Sequence, residues 1–159
     1  PKGKRVIDRL MLKAPIFGPI LVKVNIARFS RTFGSLMASG ISVLDAINAT
    51  KSALGNSVYQ DELTEVAQKV KNGRPMSEHI RASKNFPAIV GQMLAVGEET
   101  GQMDSILLKL AEFYEKEVDT VVEGITSIIE PILIIVLGGM VGFIVISVFG
   151  PISSIGNSV

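Results

Sequence analysis

The feature that most constrains the fold of this chain is an uninterrupted apolar run near its C-terminus. Residues 132–149, ILIIVLGGMVGFIVISVF, form a run of 18 residues in which Ser147 is the only polar side chain. As a helix, this run would extend about 27 Å, close to the roughly 30 Å hydrocarbon core of a bilayer. A buried strand is disfavoured because strands seldom reach this length. The run therefore predicts a transmembrane helix.

Glycine and proline residues set the expected boundaries and packing of this helix. We expect it to cover 131–150, with a kink at Pro131 where it enters the membrane and a stop at Gly150-Pro151. Gly138 and Gly142 form a G-x-x-x-G motif, which lets a second helix approach closely. Glycine is also common in membrane helices generally, so the motif indicates helix packing without establishing it.

Charged residues fall into blocks that favour one orientation in the membrane. Residues 1–31 contain eight Lys or Arg and a single acid, Asp8, whereas residues 98–130 contain nine Asp or Glu and only two Lys. The positive-inside rule counts Lys and Arg, so the basic start of the chain favours a cytoplasmic body. Residues 151–159 then form a short tail on the far side of the membrane.

The basic N-terminal segment, residues 1–20, is interpreted as lying beside the membrane. Its first 13 residues, PKGKRVIDRLMLK, mix basic with aliphatic residues and contain no aromatic residue for stacking on bases. Contact with anionic lipid headgroups therefore explains it better than binding to nucleic acid. The chain begins at Pro1 rather than Met, which we interpret as a piece of a longer protein.

Apolar residues recur at helical spacing throughout residues 21–130, and no stretch shows sustained strand alternation. Turn and capping residues divide this region: Gly40, Ser42, Gly55, Ser57, Asn72 to Pro75, Ser77 and Pro87. The stripes expected to face the core are Val22, Ile26, Phe29, Phe33 and Leu36; Leu44, Ile47 and Leu54; Tyr59, Leu63, Val66 and Val70; Ile89, Val90, Met93 and Leu94; and Ile106, Leu110, Phe113, Val121 and Ile125, interrupted by Glu117. The pattern predicts an all-α antiparallel bundle of about six helices, the last continuing into the C-terminal transmembrane helix.

Composition and motifs argue against an enzyme. The chain has no cysteine and a single histidine, His79, which we expect to be exposed on a short polar segment. It contains no phosphate-binding loop, no dinucleotide fingerprint, no H-E-x-x-H motif and no nucleophile elbow. We therefore predict no catalytic residue and no cofactor.

The stretch GEETGQMD, which begins at Gly97, is expected to be the turn between the fifth and sixth helices. Gly101 can adopt the positive φ that ends a helix, and Asp104 suits the positive end of the next one. Glu98 and Glu99, however, would lie at the negative end of the fifth helix, which is unfavourable. A compensating partner is expected: a Lys or Arg of another helix, a divalent cation, or another protein. A cation site would use the oxygens of Glu98, Glu99 and Asp104, which suit calcium or magnesium.

A second acidic stretch, AEFYEKEVDTVVEG, follows on the sixth helix and includes Glu112 and Glu115. Its charges lie opposite the apolar stripe expected for that helix. Two interpretations remain open, a solvated face or a docking surface for a basic partner.

Three stretches resemble a known family. They are ARFSRTFGSLMASGISVLDAI from Ala27, FPAIVGQMLAVGEETGQMDSILLKLAEFYEKEV from Phe86, and EPILIIVLGGMVGFIV from Glu130. They are similar, in the right order and over nearly the whole chain, to the type II secretion F-domain family. Its members are the inner-membrane platform proteins of type II secretion and of type IV pilus assembly, the PilC type.

The resemblance implies an organisation and a role that periodicity could not supply. It implies that residues 21–130 are the second of two homologous cytoplasmic domains and that residues 131–150 are the last of three membrane helices. It implies a non-enzymatic platform in the bacterial inner membrane that couples a cytoplasmic hexameric ATPase to insertion or extraction of pilin or pseudopilin subunits. Its partners would be that ATPase, the pilin, other inner-membrane components and further copies of itself.

Under this hypothesis the acidic turn and the acidic helix are contact surfaces for the ATPase, for a second copy, or for basic helices of the same chain. The residues concerned are Gly97, Glu98, Glu99, Gly101, Asp104, Glu112 and Glu115. A rival hypothesis is a tail-anchored helical enzyme or regulator unrelated to secretion. A third is a module that binds a divalent cation at the acidic turn.

Overall fold

The computed structural model describes residues 2–15 and 17–155, and within them the chain forms seven α-helices and no strand. The all-α prediction is confirmed. The helices are α1 (Lys2–Lys13), α2 (Phe17–Ala38), α3 (Val43–Ala53), α4 (Ser57–Lys71), α5 (Met76–Ala82), α6 (Ala88–Thr100) and α7 (Met103–Ile155). The chain divides into two compact units, residues 1–119 and residues 120–159, and α7 supplies residues to both.

An aromatic cluster lies at the centre of the first unit. The rings of Phe29 and Phe33 stack with centroids 5.6 Å apart, and Phe86 meets both Phe29 and Tyr59 edge-on at 5.4 and 5.3 Å. Burial raises the pKa of Tyr59, whose hydroxyl donates to the backbone carbonyl of Asn85 at 2.9 Å. Four of the stripes expected from the sequence contribute fully buried residues: Ile26, Phe29, Phe33, Ile47, Tyr59, Leu63, Val66, Val90 and Leu94.

Two helix pairs are demonstrably antiparallel. Along α2, Gly34 faces Leu107 of α7, whereas Lys23, further back in α2, pairs with Glu117, further along α7. The same reversal relates α5 to α6, because residue 81 lies against Gly91 and residue 77 against residue 98. These two pairs bring the acidic residues of α6 and α7 against α5 and α2.

The first helix was not expected, since residues 1–20 were interpreted only as a basic segment. Lys2–Lys13 nevertheless forms α1, which packs on α2 and α4. The carboxylate of Asp8 accepts hydrogen bonds from the backbone N–H and the hydroxyl of Ser57 at 2.9 and 2.7 Å. Asp8 thereby accepts hydrogen bonds at the start of α4, where backbone N–H groups have no partner within the helix.

One helix start differs from the expected ones and two agree. Helix α4 begins at Ser57 as predicted, and the side chain of its N-cap, Asn56, accepts from the N–H of Val58. The short helix α5 begins at Met76 after Pro75, so Ser77 lies inside the first turn rather than capping it. By contrast, the expected cap at Ser42 is confirmed, with its side chain accepting from the N–H of Asp45.

The buried face of α7 differs from the expected stripe. Phe113 is 56% exposed and Ile106 is half-buried, whereas the residues in the core are Met103, Leu107, Leu110, Ala111 and Tyr114. These five positions also recur at helical spacing, so the sequence was compatible with either of two neighbouring apolar faces being buried. Contact with α2, where a Cβ on Gly34 would lie 3.0 Å from the Cβ of Leu107, selects the second face.

The second unit, residues 120–159, contains the remainder of α7. This helix includes an uncharged window apolar and long enough to cross a membrane, and none of that window is buried within the protein. The helical backbone runs without interruption through Pro131, so the kink expected there stays a prediction. The helix also passes the expected stop at Gly150-Pro151 and ends at Ile155. A proline removes one hydrogen bond of the ladder, and near the end of a long helix that loss does not terminate it.

Candidate functional site: the acidic turn and the acidic face of α7

The turn between α6 and α7 has the backbone expected from its glycines. Gly101 ends α6 in the left-handed conformation, with φ of 70°, and its N–H donates to the carbonyl of Gly97. Gly97 itself is buried, and a Cβ there would lie 2.9 Å from the Sδ of Met103 and 3.2 Å from its Cα. Asp104 lies in the first turn of α7, at the positive end of the helix dipole as expected.

The carboxylate of Glu98 is directed at the N-terminus of α5. Its Oε1 accepts from the N–H of Met76 at 2.6 Å, and its Oε2 accepts from the N–H of Ser77 at 3.3 Å and from the hydroxyl of Ser77. Glu98 thus lies at the negative end of its own helix but at the positive end of a neighbouring one. This partner was not among the three kinds that the sequence suggested.

The local sequence explains why α5 needs an acceptor from elsewhere. Its N-cap residue is Pro75, which makes no side-chain capping hydrogen bond. The first N–H groups of a helix have no partner within the helix, and Met76 and Ser77 are 1% and 6% exposed, so water cannot fully serve them. Glu98 satisfies both donors and stabilises a helix of only seven residues.

Gly91 brings α5 and α6 close enough for this contact. A Cβ at Gly91 would lie 2.9 Å from the backbone nitrogen of Arg81 and 3.0 Å from its Cα. Gly91 and Glu98 are seven residues apart and therefore share one face of α6. The face that admits the backbone of α5 also carries the carboxylate that caps it.

Glu99 points elsewhere and is exposed. Across residues 2–15 and 17–155, no three His, Asp or Glu side chains are grouped closely enough to hold a metal ion. The structure therefore does not bring Glu98, Glu99 and Asp104 together as the cation hypothesis requires. A cavity of about 460 Å³ adjoins the turn, and its lining residues are Met37, Val43, Gly97, Glu98, Gly101, Met103 and Asp104.

The acidic face of α7 is paired with the basic helix α2 of the same chain. Arg31 donates to Glu115 through Nε at 2.8 Å and through Nη2 at 2.6 Å, a bidentate arrangement. Lys23 donates to Glu117 at 2.7 Å. Of the contact partners considered for the acidic helix, its own basic helices account for these two glutamates.

The bidentate pair changes the titration of both partners. The hydrogen bond from Arg31 holds the pKa of Glu115 below its ordinary value, and the same bond raises the pKa of Arg31. Both side chains are more than 40% exposed, so solvent and salt screen their attraction. Beside the pair, a shallow groove of about 340 Å³ runs between α2 and α7, with Arg28 and Asp119 among its lining residues.

Glu112 stands apart from these pairs. It is exposed on α7, and its charge raises the pKa of Arg31 only through space. Glu99, in the last turn of α6, is likewise exposed. These two carboxylates face solvent, whereas Glu98, Glu115 and Glu117 are engaged within the chain.

A cluster around His79 was missed in the sequence. The prediction of an exposed histidine was wrong, because its side chain is only 11% exposed. Its Nε2 lies 3.9 Å from a carboxylate oxygen of Glu62 and 3.8 Å from one of Glu65, and Asn85 donates to Glu62 at 2.7 Å. Because the cluster joins α4 to α5 and to the loop after it, no local pattern could have indicated it.

The glycines of the predicted span lie in open surroundings. A Cβ at Gly138 or at Gly142 would meet nothing within 4 Å. The G-x-x-x-G face is therefore unoccupied by other described residues of this chain, and its role in helix packing stays a prediction.

Comparison with known proteins identifies the family to which this chain is related. Residues 29–151 match the family described as "Type II secretion system (T2SS), protein F". The chain is 40% identical over all of its 159 residues to a type IV pilus assembly protein PilC of Myxococcus xanthus, and 44% identical over 156 residues (98% of the chain) to that of Thermus thermophilus. It is 30% identical over 156 residues (98% of the chain) to a type II secretion system protein F of Xanthomonas campestris.

These relatives are longer proteins, and this chain spans 38% of the length of each of the three. The match nevertheless extends from within α2 to within the last turns of α7, and so includes both units of the structure. The chain therefore belongs to the protein F family of type II secretion, which also contains the PilC proteins of type IV pilus assembly.

Proposed function

We propose that this chain is the second cytoplasmic domain and the last membrane helix of an inner-membrane platform protein. In that role it couples a cytoplasmic hexameric ATPase to the insertion or extraction of pilin or pseudopilin subunits. The observation that carries the proposal is the family match across a helical domain followed by one apolar helix. Family membership also leaves the rival hypothesis, a tail-anchored protein unrelated to secretion, without support.

The distribution of charge supports the orientation in this proposal. Eight of the basic residues lie in residues 1–31, on the side of the helical domain, and none follows residue 130. Excess Lys and Arg are retained on the cytoplasmic side of a membrane. The domain then lies in the cytoplasm, where an ATPase can reach it, and residues beyond the span lie on the far side.

The proposed contact surface for the ATPase includes two exposed acids, Glu99 and Glu112. They remain available after Glu98, Glu115 and Glu117 have been engaged within the chain. Exposed acids contribute to the rate and specificity with which a basic partner is recognised. The role is one of contact rather than catalysis, so the proposal includes no enzymatic activity and no cofactor.

The proposed self-association uses the membrane helix. Gly138 and Gly142 present a small-residue face, on which another apolar helix can pack closely. A second copy of the same span, or another inner-membrane component of the machine, fits that face equally well.

Site-specific photocrosslinking in cells tests the ATPase contact. The full-length protein would carry a photoreactive residue at Glu99 or at Glu112, in a strain lacking the native gene. We expect crosslinks to the assembly ATPase from both positions. The matched control is Gln68, an exposed residue of α4 on a different helix, which should give none.

A charge-reversed variant tests whether the same contact is needed for piliation or secretion. Glu99→Lys with Glu112→Lys should abolish piliation or secretion while the protein accumulates at its usual level. Normal assembly by that variant, or crosslinks as strong from Gln68 as from Glu99, would remove the acids from the ATPase contact.

A further inference from the structure

The outer face of α1 is apolar although it is exposed. Val6, Ile7, Leu10 and Met11 are 57%, 58%, 63% and 46% exposed, respectively. In a helix, residues at i, i+1, i+4 and i+5 lie side by side, so these four form one continuous stripe. A contiguous apolar stripe of this kind on a protein surface indicates an interaction site.

The rotation of α1 about its axis is fixed by the opposite face. Asp8 is held at the start of α4 by its two hydrogen bonds to Ser57, and Leu12 packs against the core cluster. Arg5 adds an ion pair to Asp61 of α4 at 3.2 Å. Because this face is anchored, the apolar stripe cannot turn inward, and its exposure is a consequence of how the domain packs.

Basic side chains border the stripe on both sides. With 3.6 residues per turn, Lys4 lies beside the edge formed by Ile7 and Met11, while Arg9 and Lys13 lie beside the edge formed by Val6 and Leu10. All three cations are exposed. An apolar stripe bordered by Lys and Arg is typical of a helix that lies in the interface of a membrane.

Charge selects a lipid surface over a second copy of this chain. Two α1 stripes packed together would bring their basic borders against each other, and like charges in contact disfavour association. Anionic headgroups instead attract those borders. Since α7 of the same chain carries an apolar window suited to crossing a bilayer, the local concentration of lipid is high and a weak contact suffices.

We propose that α1 is a membrane-docking helix, whose stripe of Val6, Ile7, Leu10 and Met11 is buried in the interfacial region of an anionic bilayer. Lys4, Arg9 and Lys13 contact the headgroups, while Asp8 and Leu12 hold the helix to the domain. The helix then lies in the plane of the membrane, and the domain rests on it. The inference does not depend on any contact with the ATPase.

Fluorescence quenching in proteoliposomes tests this docking directly. The chain contains no cysteine, so Leu10→Cys provides a unique attachment site for an environment-sensitive dye. The full chain would be reconstituted in vesicles that contain phosphatidylglycerol, with nitroxide-labelled lipid as one quencher and iodide in the buffer as the other. Gln68→Cys, an exposed position on α4, is the matched control.

We expect the dye at Leu10 to be quenched by the nitroxide lipid and protected from iodide, and the dye at Gln68 to show the reverse. Quenching of Leu10 by iodide would overturn the proposal, because the stripe would then face water. Protection from both quenchers would also overturn it, because the stripe would then be covered by protein, either a second copy or another part of the machine.

A separate double variant tests the contact between the basic residues of α1 and the lipid headgroups. Lys4→Gln with Arg9→Gln should lower the ratio of docked to free α1 about 25-fold, on the basis of roughly fivefold for each cation near an anionic surface. Lys51→Gln with Lys71→Gln removes the same charge from α3 and α4 and should leave docking unchanged. Equal docking of the wild-type chain in purely phosphatidylcholine vesicles would refute the requirement for anionic lipid.

Discussion

The two acidic regions of this chain carry the same charge but use it differently. At the end of α6, Glu98 is half-buried and accepts hydrogen bonds from backbone donors of α5 that have no other acceptor. On α7, Glu115 and Glu117 are exposed by about two-fifths and meet the flexible side chains of Arg31 and Lys23. The first contact completes a helix, and the second joins two surfaces that water would otherwise solvate.

The difference shows that the stability a carboxylate contributes depends on whether water can solvate its partner once the carboxylate is removed. Removing Glu98 leaves buried N–H groups without an acceptor, and the cost of that loss is larger than the net gain from a typical hydrogen bond. Removing Glu117 leaves a lysine that water can solvate, and exposed ion pairs contribute little. We therefore expect the contribution to stability to rank highest for Glu98 and lower for the exposed ion pairs of α7.

The largest effect is expected at Glu98. Glu98→Ala should lower the free energy of unfolding by about 1–3 kcal/mol, because the N–H groups of Met76 and Ser77 lose their acceptor. Urea unfolding of the detergent-solubilised chain measures the change. Hydrogen exchange should show faster exchange at those two amides in particular.

Glu99→Ala is the matched control, since it removes the same charge from the next residue. Glu99 is exposed, so the change in stability should stay within about 0.5 kcal/mol. If the two substitutions have equal effects, Glu98 does not act as the cap of α5 and the contrast between the two regions disappears.

An intermediate effect is expected for the pair between α2 and α7. A double-mutant cycle with Lys23→Ala and Glu117→Ala should give a coupling energy of about 0.2–1 kcal/mol. Because both groups are partly exposed, the coupling should shrink as salt is added. A coupling as large as the effect of Glu98→Ala, or one that salt leaves unchanged, would contradict the ranking.

The smallest effect on stability is expected when the pH is lowered. Hydrogen bonds from the Ser57 backbone hold the pKa of Asp8 below its ordinary 3.8, and the bond from Arg31 holds that of Glu115 below its ordinary 4.5. A lowered pKa in the folded state means that the unfolded state takes up protons first as the pH falls. The stabilisation is therefore complete above those ordinary values and is lost as the pH falls through the folded values.

Comparison with Asp8→Asn and Glu115→Gln measures this contribution. The free energy of unfolding should fall less for the double variant than for the wild-type chain between about pH 6 and pH 3. An identical decline in both would show that other carboxylates govern the acid response.

Much of the fold could be predicted from local pattern. The stripe Ile26, Phe29 and Phe33 and the stripe Tyr59, Leu63 and Val66 both entered the core as expected, because their spacing matches the helical period. The positive φ of Gly101 was likewise predicted, since the end of a helix often requires it. The apolar run predicted a membrane-spanning helix from its length alone.

The partners of Glu98, the cluster around His79 and the buried face of α7 were missed because they depend on contacts between segments distant in sequence. Phe113 and Tyr114 each lay on an apolar face at helical spacing, and the packing of α7 against α2, where Gly34 meets Leu107 and Leu108, leaves Tyr114 buried and Phe113 exposed. Helix α1 is different, since its apolar residues Val6, Ile7, Leu10 and Met11 recur at helical spacing in the sequence itself.

The sequence by itself determined that this chain is helical, that it carries one long apolar segment and that it belongs to the protein F family, since these follow from periodicity, hydropathy and motif order. Only the tertiary structure decided the partners of its charges. Glu98 was recognisably misplaced in its own helix, but its acceptor atoms meet donors 21 and 22 residues away. A local pattern can reveal an unfavourable charge, whereas the compensating group is selected by how the helices pack.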